Sequence, residues 1–254
     1  MVTINLKLSI IKKIISFIYG ALAYLLFLFT ILYAIGFLSN SFVPKSIDSG
    51  TETALLPSLL IDVLLLSVFA IQHSLMARPA FKKWITAFIS PVIERSTYVL
   101  FSSLALLLMY WKWQPITAIV WKADNETIAV IITGVFLFGW LVALLSTFMI
   151  NHFDLFGLKQ IFDNLKDKIA PSSEFQTNYL YKIVRHPIML GYVIAFWATP
   201  VMTVGHLLFA VTTTLYIVVA VKHLEEKDLR ESIGKAYEDY ENKVPMLIPF
   251  TKKG

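Results

Sequence analysis

Residues 181–192 read Y-K-I-V-R-H-P-I-M-L-G-Y, and the C-terminal run that they open settles the fold. Two apolar runs come next, then H-L-E-E-K-D-L-R at 223–230 and G-K-A-Y-E-D-Y-E-N-K-V-P at 234–245. The apolar part, Ile188 to Val221, is about 34 residues long, where one straight crossing needs ~20. Pro200 cannot continue a helical hydrogen-bond ladder, and Gly205 permits a turn close by. The run is therefore expected to enter the bilayer and return as a two-legged hairpin. That brings a charged C-terminal helix back to the face where Arg185 and His186 stand.

Working outward, four more runs are apolar enough to span. They are Ile14 to Leu38 without a charge, Leu55 to Met76 with Asp62, Gln72 and His73 inside it, Thr97 to Tyr110, and Ile128 to Ile150. Trp111 and Trp113 extend the third as an interfacial belt. With 57% hydrophobic and 15% charged residues, the composition excludes an ordinary soluble domain, in which charged residues run near ~25%. The expected fold is all-α: a polytopic membrane helical bundle of about five to six membrane segments, the last a hairpin, plus a short cytoplasmic C-terminal helix, as one domain over residues 1–254. Lys7, Lys12 and Lys13 precede a first run too long for a signal-peptide core, so that run is expected to be retained.

Charge sets the expected orientation. With six crossings and the N-terminus inside, the outer loops hold only Lys45, Lys112 and Lys122 of the 22 Lys and Arg. A single crossing at 188–221 spoils that bias, so the hairpin is preferred and both termini are expected in the cytoplasm. Basic residues flank the spans instead of forming a stripe, which argues against nucleic acid. Cysteine is absent, and the five histidines include no i, i+4 pair, which argues against a metal site. From Phe153 to Ile169 apolar and charged residues alternate at helical spacing, as in a helix lying on the membrane surface.

No Gly-rich loop follows a strand, so a Rossmann site is excluded. The order R-H-P-x-x-x-G, apolar hairpin, E-E, G-x-x-Y-x-x-Y, V-P instead resembles the C-terminal half of the isoprenylcysteine carboxyl methyltransferase superfamily, integral membrane enzymes that use S-adenosyl-L-methionine. I-Q-H-S-L-M-A-R-P-A-F-K (71–82), E-R-S-T-Y-V-L (94–100), W-K-W-Q-P-I (111–116) and I-N-H-F-D-L-F-G-L (150–158) extend the likeness. From about Ile71 to Pro249 the chain is similar to the bacterial methanethiol S-methyltransferases, the branch making dimethyl sulfide. Met189 departs from the superfamily, which often has an aromatic residue there, and that bears on the pocket's shape at this point.

The resemblance implies a cofactor region at about 181–249, a small thiol acceptor and a bacterial inner membrane. Arg185 offers a planar fork to a carboxylate. His186 is held extended before Pro187, which starts a helix and exposes its first N–H groups to an anion. Gly191 removes bulk one turn inside, admitting a ligand or a helix. Glu225 and Glu226 accept from an ammonium or ribose. Tyr237 and Tyr240, at i and i+3, present one aromatic face to adenine, with Tyr181 nearby. Taken singly, each has a plainer reading: Arg185 as a headgroup anchor, the glutamates as a solvated face, the tyrosines as an interfacial belt.

For the chemical step, a thiol must lose its proton, since the thiolate is the strong nucleophile. His73, His152 and Arg185 are the catalytic candidates, because an ionisable group at membrane depth is a functional candidate. Asp62 shares a stripe with His73 but lies ~16 Å along the axis. Arg78, Glu94, Arg95 and Asp154 are candidates for the acceptor side, and His206, at the outward end of the hairpin, is read as structural. Two other functions stay open: methylation of a lipid or isoprenylcysteine carboxylate, and a non-catalytic membrane protein of the same fold linked to nitrogen-oxide metabolism.

Overall fold

A computed structural model describes residues 2–168, 175 and 177–251. Ile169, at the end of the expected surface helix, and Gly254 lie outside the described residues. The long helices are α1 (Val2–Ser39), α2 (Leu55–Ala77), α4 (Pro91–Lys112), α5 (Glu126–Ile150) and α9 (Val204–Ala220), the last continuing through a π-helical segment (Val221–Glu225) into α10 (Glu226–Ile233). Short helices α3 (Pro79–Ile85), α6 (His152–Leu155), α7 (Leu158–Leu165), α8 (Pro187–Trp197) and α11 (Lys235–Lys243) complete the helical set. Among the described residues five helices are long and apolar enough to cross a membrane, and the chain is an integral membrane protein.

The bundle is inside-out relative to a soluble one. Leu22, Leu25, Leu32, Leu56, Leu60, Leu64 and Ile71 point outward, where lipid tails replace water, while Thr30, Ser58, Ser96, Ser103, Ser146 and Thr147 are buried between helices. Small hydroxyl residues let the backbones approach. Several satisfy themselves on their own helix, as Thr30 donates to the Leu26 carbonyl at 2.7 Å and Ser103 to that of Val99 at 2.8 Å. α4 packs between α1 and α2, α9 against α2 and α8, and α8 against α5.

The hairpin is present. α8 is 11 residues long, ~16 Å, about half of the ~30 Å hydrocarbon core. An extended stretch finishes the leg: the Ala123 amide donates to the Pro200 carbonyl, and β2 (Val201–Thr203) pairs antiparallel with β1 (Ile119–Lys122). α9 then returns, so α10 and α11 arrive on the face that holds the start of α1 and the end of α2. Ion pairs lace that face, Lys13 with Asp167 at 2.5 Å and Arg78 with Asp228 at 2.9 Å.

Two expectations need correction, and one feature is new. Trp113 is fully buried among Phe37 and Phe209, so only Trp111 is exposed as a belt residue. The surface helix of 153–169 is broken into α6 and α7 by Gly157, whose φ of +86° a side chain disfavours and whose missing Cβ leaves room for Ser96. Its residue Ile161 is buried against Gly20 of α1, so α7 docks on the bundle. The pair β1–β2 was not expected at all.

α8 is held against α5 by facing glycines. A Cβ on Gly191 would stand 2.5 Å from the Ala143 nitrogen and 2.6 Å from the Gly139 carbonyl, and one on Gly139 would stand 2.6 Å from the Ala195 nitrogen. These neighbours are backbone and cannot yield cheaply. Gly134, on the same helix, faces open space. Gly191→Ala and Gly139→Ala are each expected to cost ~1–3 kcal/mol, while Gly134→Ala gains ~0.5–1 kcal/mol from helix propensity. Thermal unfolding in detergent checks this; equal melting temperatures for all three variants contradict the close packing.

Candidate active site

The π-helical segment organises the site. Here the Glu226 amide reaches back five residues to the Val221 carbonyl, which widens the turn by one residue. Glu225 and Glu226 thereby both meet His186: Glu226 Oε1 is 3.1 Å from its Nε2 and Glu225 Oε1 is 3.5 Å from its Nδ1. Burial alone pulls His186 down; the hydrogen bonds and charges of the two glutamates outweigh it and push it up to about 9.

Arg185 is buried beside it. Nε and Nη2 donate to Glu226 Oε1 at 2.8 and 2.5 Å, and Nη1 donates to the carbonyls of Glu241 and Val244 at 3.0 and 2.5 Å. The fork read as open to a ligand carboxylate is thus filled by Glu226, because a buried guanidinium must find internal partners. Backbone bonds reinforce the tie, with the Arg185 and His186 amides donating to the Pro245 and Met246 carbonyls. Tyr240 donates to the Tyr181 carbonyl at 2.5 Å, and the Tyr181 hydroxyl donates to the Ser146 carbonyl at 3.4 Å. Tyr237 is fully buried, and its hydroxyl has no partner among the described residues. Arg185 and Glu226 form one wall of a cleft of about 430 Å³, completed by Lys222, His223, Arg230, Glu241 and Met246.

A second cluster lies on the other side of Glu225. His73 Nε2 is 2.8 Å from the Tyr98 hydroxyl, its Nδ1 is 3.2 Å from Ser102 Oγ, and its ring stacks on Phe69 at 5.1 Å. Glu225 is within electrostatic reach of His73 and of Tyr98. Arg78, Glu94 and Arg95 are within electrostatic reach of Lys82. Burial pulls that lysine below its ordinary range, Arg95 and Arg78 pull it further, and Glu94 and Asp228 oppose them.

Other predicted residues stand apart. His152 sits between α1 and α5, its Nε2 2.7 Å from the Tyr24 hydroxyl and its Nδ1 2.7 Å from Thr147 Oγ1, with Phe148 stacked on the ring. Both nitrogens are occupied, and burial holds it below its ordinary value. Asp154 caps locally, taking the side-chain amide of Gln160 at 3.0 Å. Gly191 admits α5, as described, and Pro187 opens α8. His206 is buried at the opposite face with Nε2 2.9 Å from the Phe196 carbonyl, as a structural residue should be. Among the described residues no group of three or more His, Asp or Glu is arranged for a metal.

With this geometry in hand, the model of the NnrU protein family matches residues 61–249. The chain belongs to that family. It is 52% identical to methanethiol S-methyltransferase 1 of Bradyrhizobium diazoefficiens over 96% of this chain and 85% of that one. It is 50% identical to methanethiol S-methyltransferase of Crocosphaera subtropica over 98% and 97% of the two chains. Nurim of Mus musculus is 30% identical over 70% of this chain and 71% of its own. No solved structure matches.

Tyr98, Ser102, Lys222 and Glu241 were missed as site residues. Tyr98 lies in the quoted segment 94–100, but only the fold sets it against His73, 25 positions earlier. The fold favours protonated His186, so its stabilising share is complete below its ordinary 6.5 and is lost as pH rises through about 9. The melting temperature of the parent is therefore expected to drop more steeply than that of His186→Gln between about pH 7 and 9.5. Parallel slopes contradict the charged pair.

Proposed function

We propose that this chain transfers a methyl group from S-adenosyl-L-methionine to methanethiol, giving dimethyl sulfide, in a bacterial inner membrane with both termini cytoplasmic. The shared name of the relatives at about half identity over nearly their whole length supports a small thiol over a lipid or an isoprenylcysteine carboxylate. The observation that carries the reading is the π-helical segment. It sets Glu226 beside Arg185 at the polar cleft and Glu225 within reach of His73, so a donor side and an acceptor side meet at adjacent residues.

The polar cleft suits the donor. Glu226 and Glu241 give the anionic side that an ammonium needs, while Lys222 matches a carboxylate, since Arg185 and Arg230 are already engaged by those two glutamates. The unpartnered Tyr237 hydroxyl fits a ligand acceptor, with Tyr240 presenting a second ring 5.9 Å away. When bound, the donor supplies a methyl group already activated on a sulfonium. The protein's work is then to align the sulfur, exclude water and receive one proton. The thiol proton passes to His73, whose ring is held by Tyr98, Ser102 and Phe69. The sulfur lone pair forms the new carbon–sulfur bond as the donor's breaks, and the proton leaves His73 to solvent. Glu225 stabilises the imidazolium in between. Arg78, Glu94 and Arg95 are assigned to the acceptor side.

His73→Ala is expected to lower turnover by ~10²–10⁴-fold with donor affinity intact, and raised pH should restore part of the loss because more thiol arrives ionised. His152→Ala should keep turnover and lose stability, as its ring ties α1 to α5. Tyr237→Phe should weaken donor binding by ~1 kcal/mol. Turnover measured against pH and donor binding by calorimetry decide the matter. Parental rates in His73→Ala at every pH would leave positioning alone as the source of catalysis.

A further inference from the structure

Between α2 and α9, at bilayer depth, lies a pocket of about 70 Å³ that the proposed reaction does not use. Leu66, Ser67, Phe69, Ala70, Thr212, Thr213 and Tyr216 line it. We infer that this pocket receives the acceptor thiol from the lipid side and limits its size, an inference that rests on the proposed function.

Four observations carry it. The first is capacity: an apolar cavity of ~150 Å³ holds benzene, six heavy atoms, so a space of half that volume holds about three. Methanethiol and its methylated product fit, and an isoprenyl chain does not. The second is polarity. The Thr213 hydroxyl is spent on the Phe209 carbonyl at 2.6 Å, that of Ser67 on the Val63 carbonyl at 2.7 Å and that of Tyr216 on Ser74, which leaves a mostly apolar lining with little demand for hydrogen bonds. The third is the surroundings: Val68, Val211 and Leu215, on the same two helices as the lining, are exposed apolar residues, and a small uncharged thiol dissolves readily in lipid beside them. The fourth is the inner wall. Phe69 stacks on His73, and Tyr216 meets Ser74 Oγ at 2.9 Å, so the pocket ends where the proton acceptor begins. A thiol that leaves the pocket has these rings to pass before it reaches His73.

Filling and widening the pocket test this. Ala70→Leu adds bulk on a helix that accepts leucine, and Thr212→Ala removes two heavy atoms from the lining. Ala70→Leu should raise the methanethiol KM about tenfold or more, the scale of one methylene in an apolar pocket, with donor affinity unchanged. Thr212→Ala should shift the ratio of kcat/KM for ethanethiol over methanethiol upward about tenfold. Binding of dimethyl sulfide to donor-free protein, followed by saturation-transfer NMR, should weaken in Ala70→Leu as well. If the parent methylates methanethiol while both variants keep its KM and acceptor preference, the thiol arrives elsewhere and the inference is overturned. If the parent methylates no thiol, the proposed function fails first and takes this inference with it.

Discussion

A guanidinium buried at a membrane face must have its charge answered and its N–H groups occupied, or the fold cannot hold it there. Arg185 meets both demands through two separate parts of the chain: the Glu226 carboxylate, and the carbonyls of Glu241 and Val244 at the end of α11. The residue before the hairpin is thereby locked to the helix after it and to the end of the last helix. Removing one partner of such a pair leaves an uncompensated charge, typically at a cost of ~3–5 kcal/mol. The rest of the site inherits its geometry from this knot. His186, next in the chain, meets Glu226 on the same carboxylate oxygen that Arg185 holds, and the widened turn adds Glu225.

Depth comes from a second constraint. A hairpin leg of 11 helical residues cannot cross alone, so it leans on α5 through Gly139 and Gly191 and finishes as extended chain stitched to β1. The short leg starts the Arg-His-Pro turn inside the bundle, close to Ser146, whose carbonyl Tyr181 meets. A charged cluster is thus sunk beside a dry one: the Glu226 cleft on one hand, His73 with its aromatic wall on the other.

Much of this was legible. Span lengths, the proline break and the charge bias predicted a returning hairpin, because each is a local consequence of bilayer thickness or backbone chemistry. The grouping of Arg185, His186, Glu225, Glu226, Tyr237 and Tyr240 was legible through motif order. What was not legible depends on distant partners. Nothing in R-H-P says that the arginine's fork is answered from within, since Glu226 lies 41 residues away. Strand β1 is a few residues long and exists only against β2, with which it shares no local signal. Trp113 reads as a belt residue until Phe37 and Phe209 close around it. His152 and His73 look alike in sequence, each a histidine near a helix end; only packing tells that both rings sit between hydroxyls and that His73 alone of the two lies within electrostatic reach of Glu225.

The widened turn at Val221–Glu225 also restricts how this sequence can drift. An α-helix with one residue inserted adopts such a turn, and losing one residue would restore ordinary winding at little cost to the helix itself. Each residue advances the helix by ~100°. A one-residue deletion here would swing Glu226, Asp228 and Arg230 together away from Arg185, Arg78 and Glu241. The segment therefore acts as a reading-frame marker in space: changes in its length are closed whatever side chains it carries.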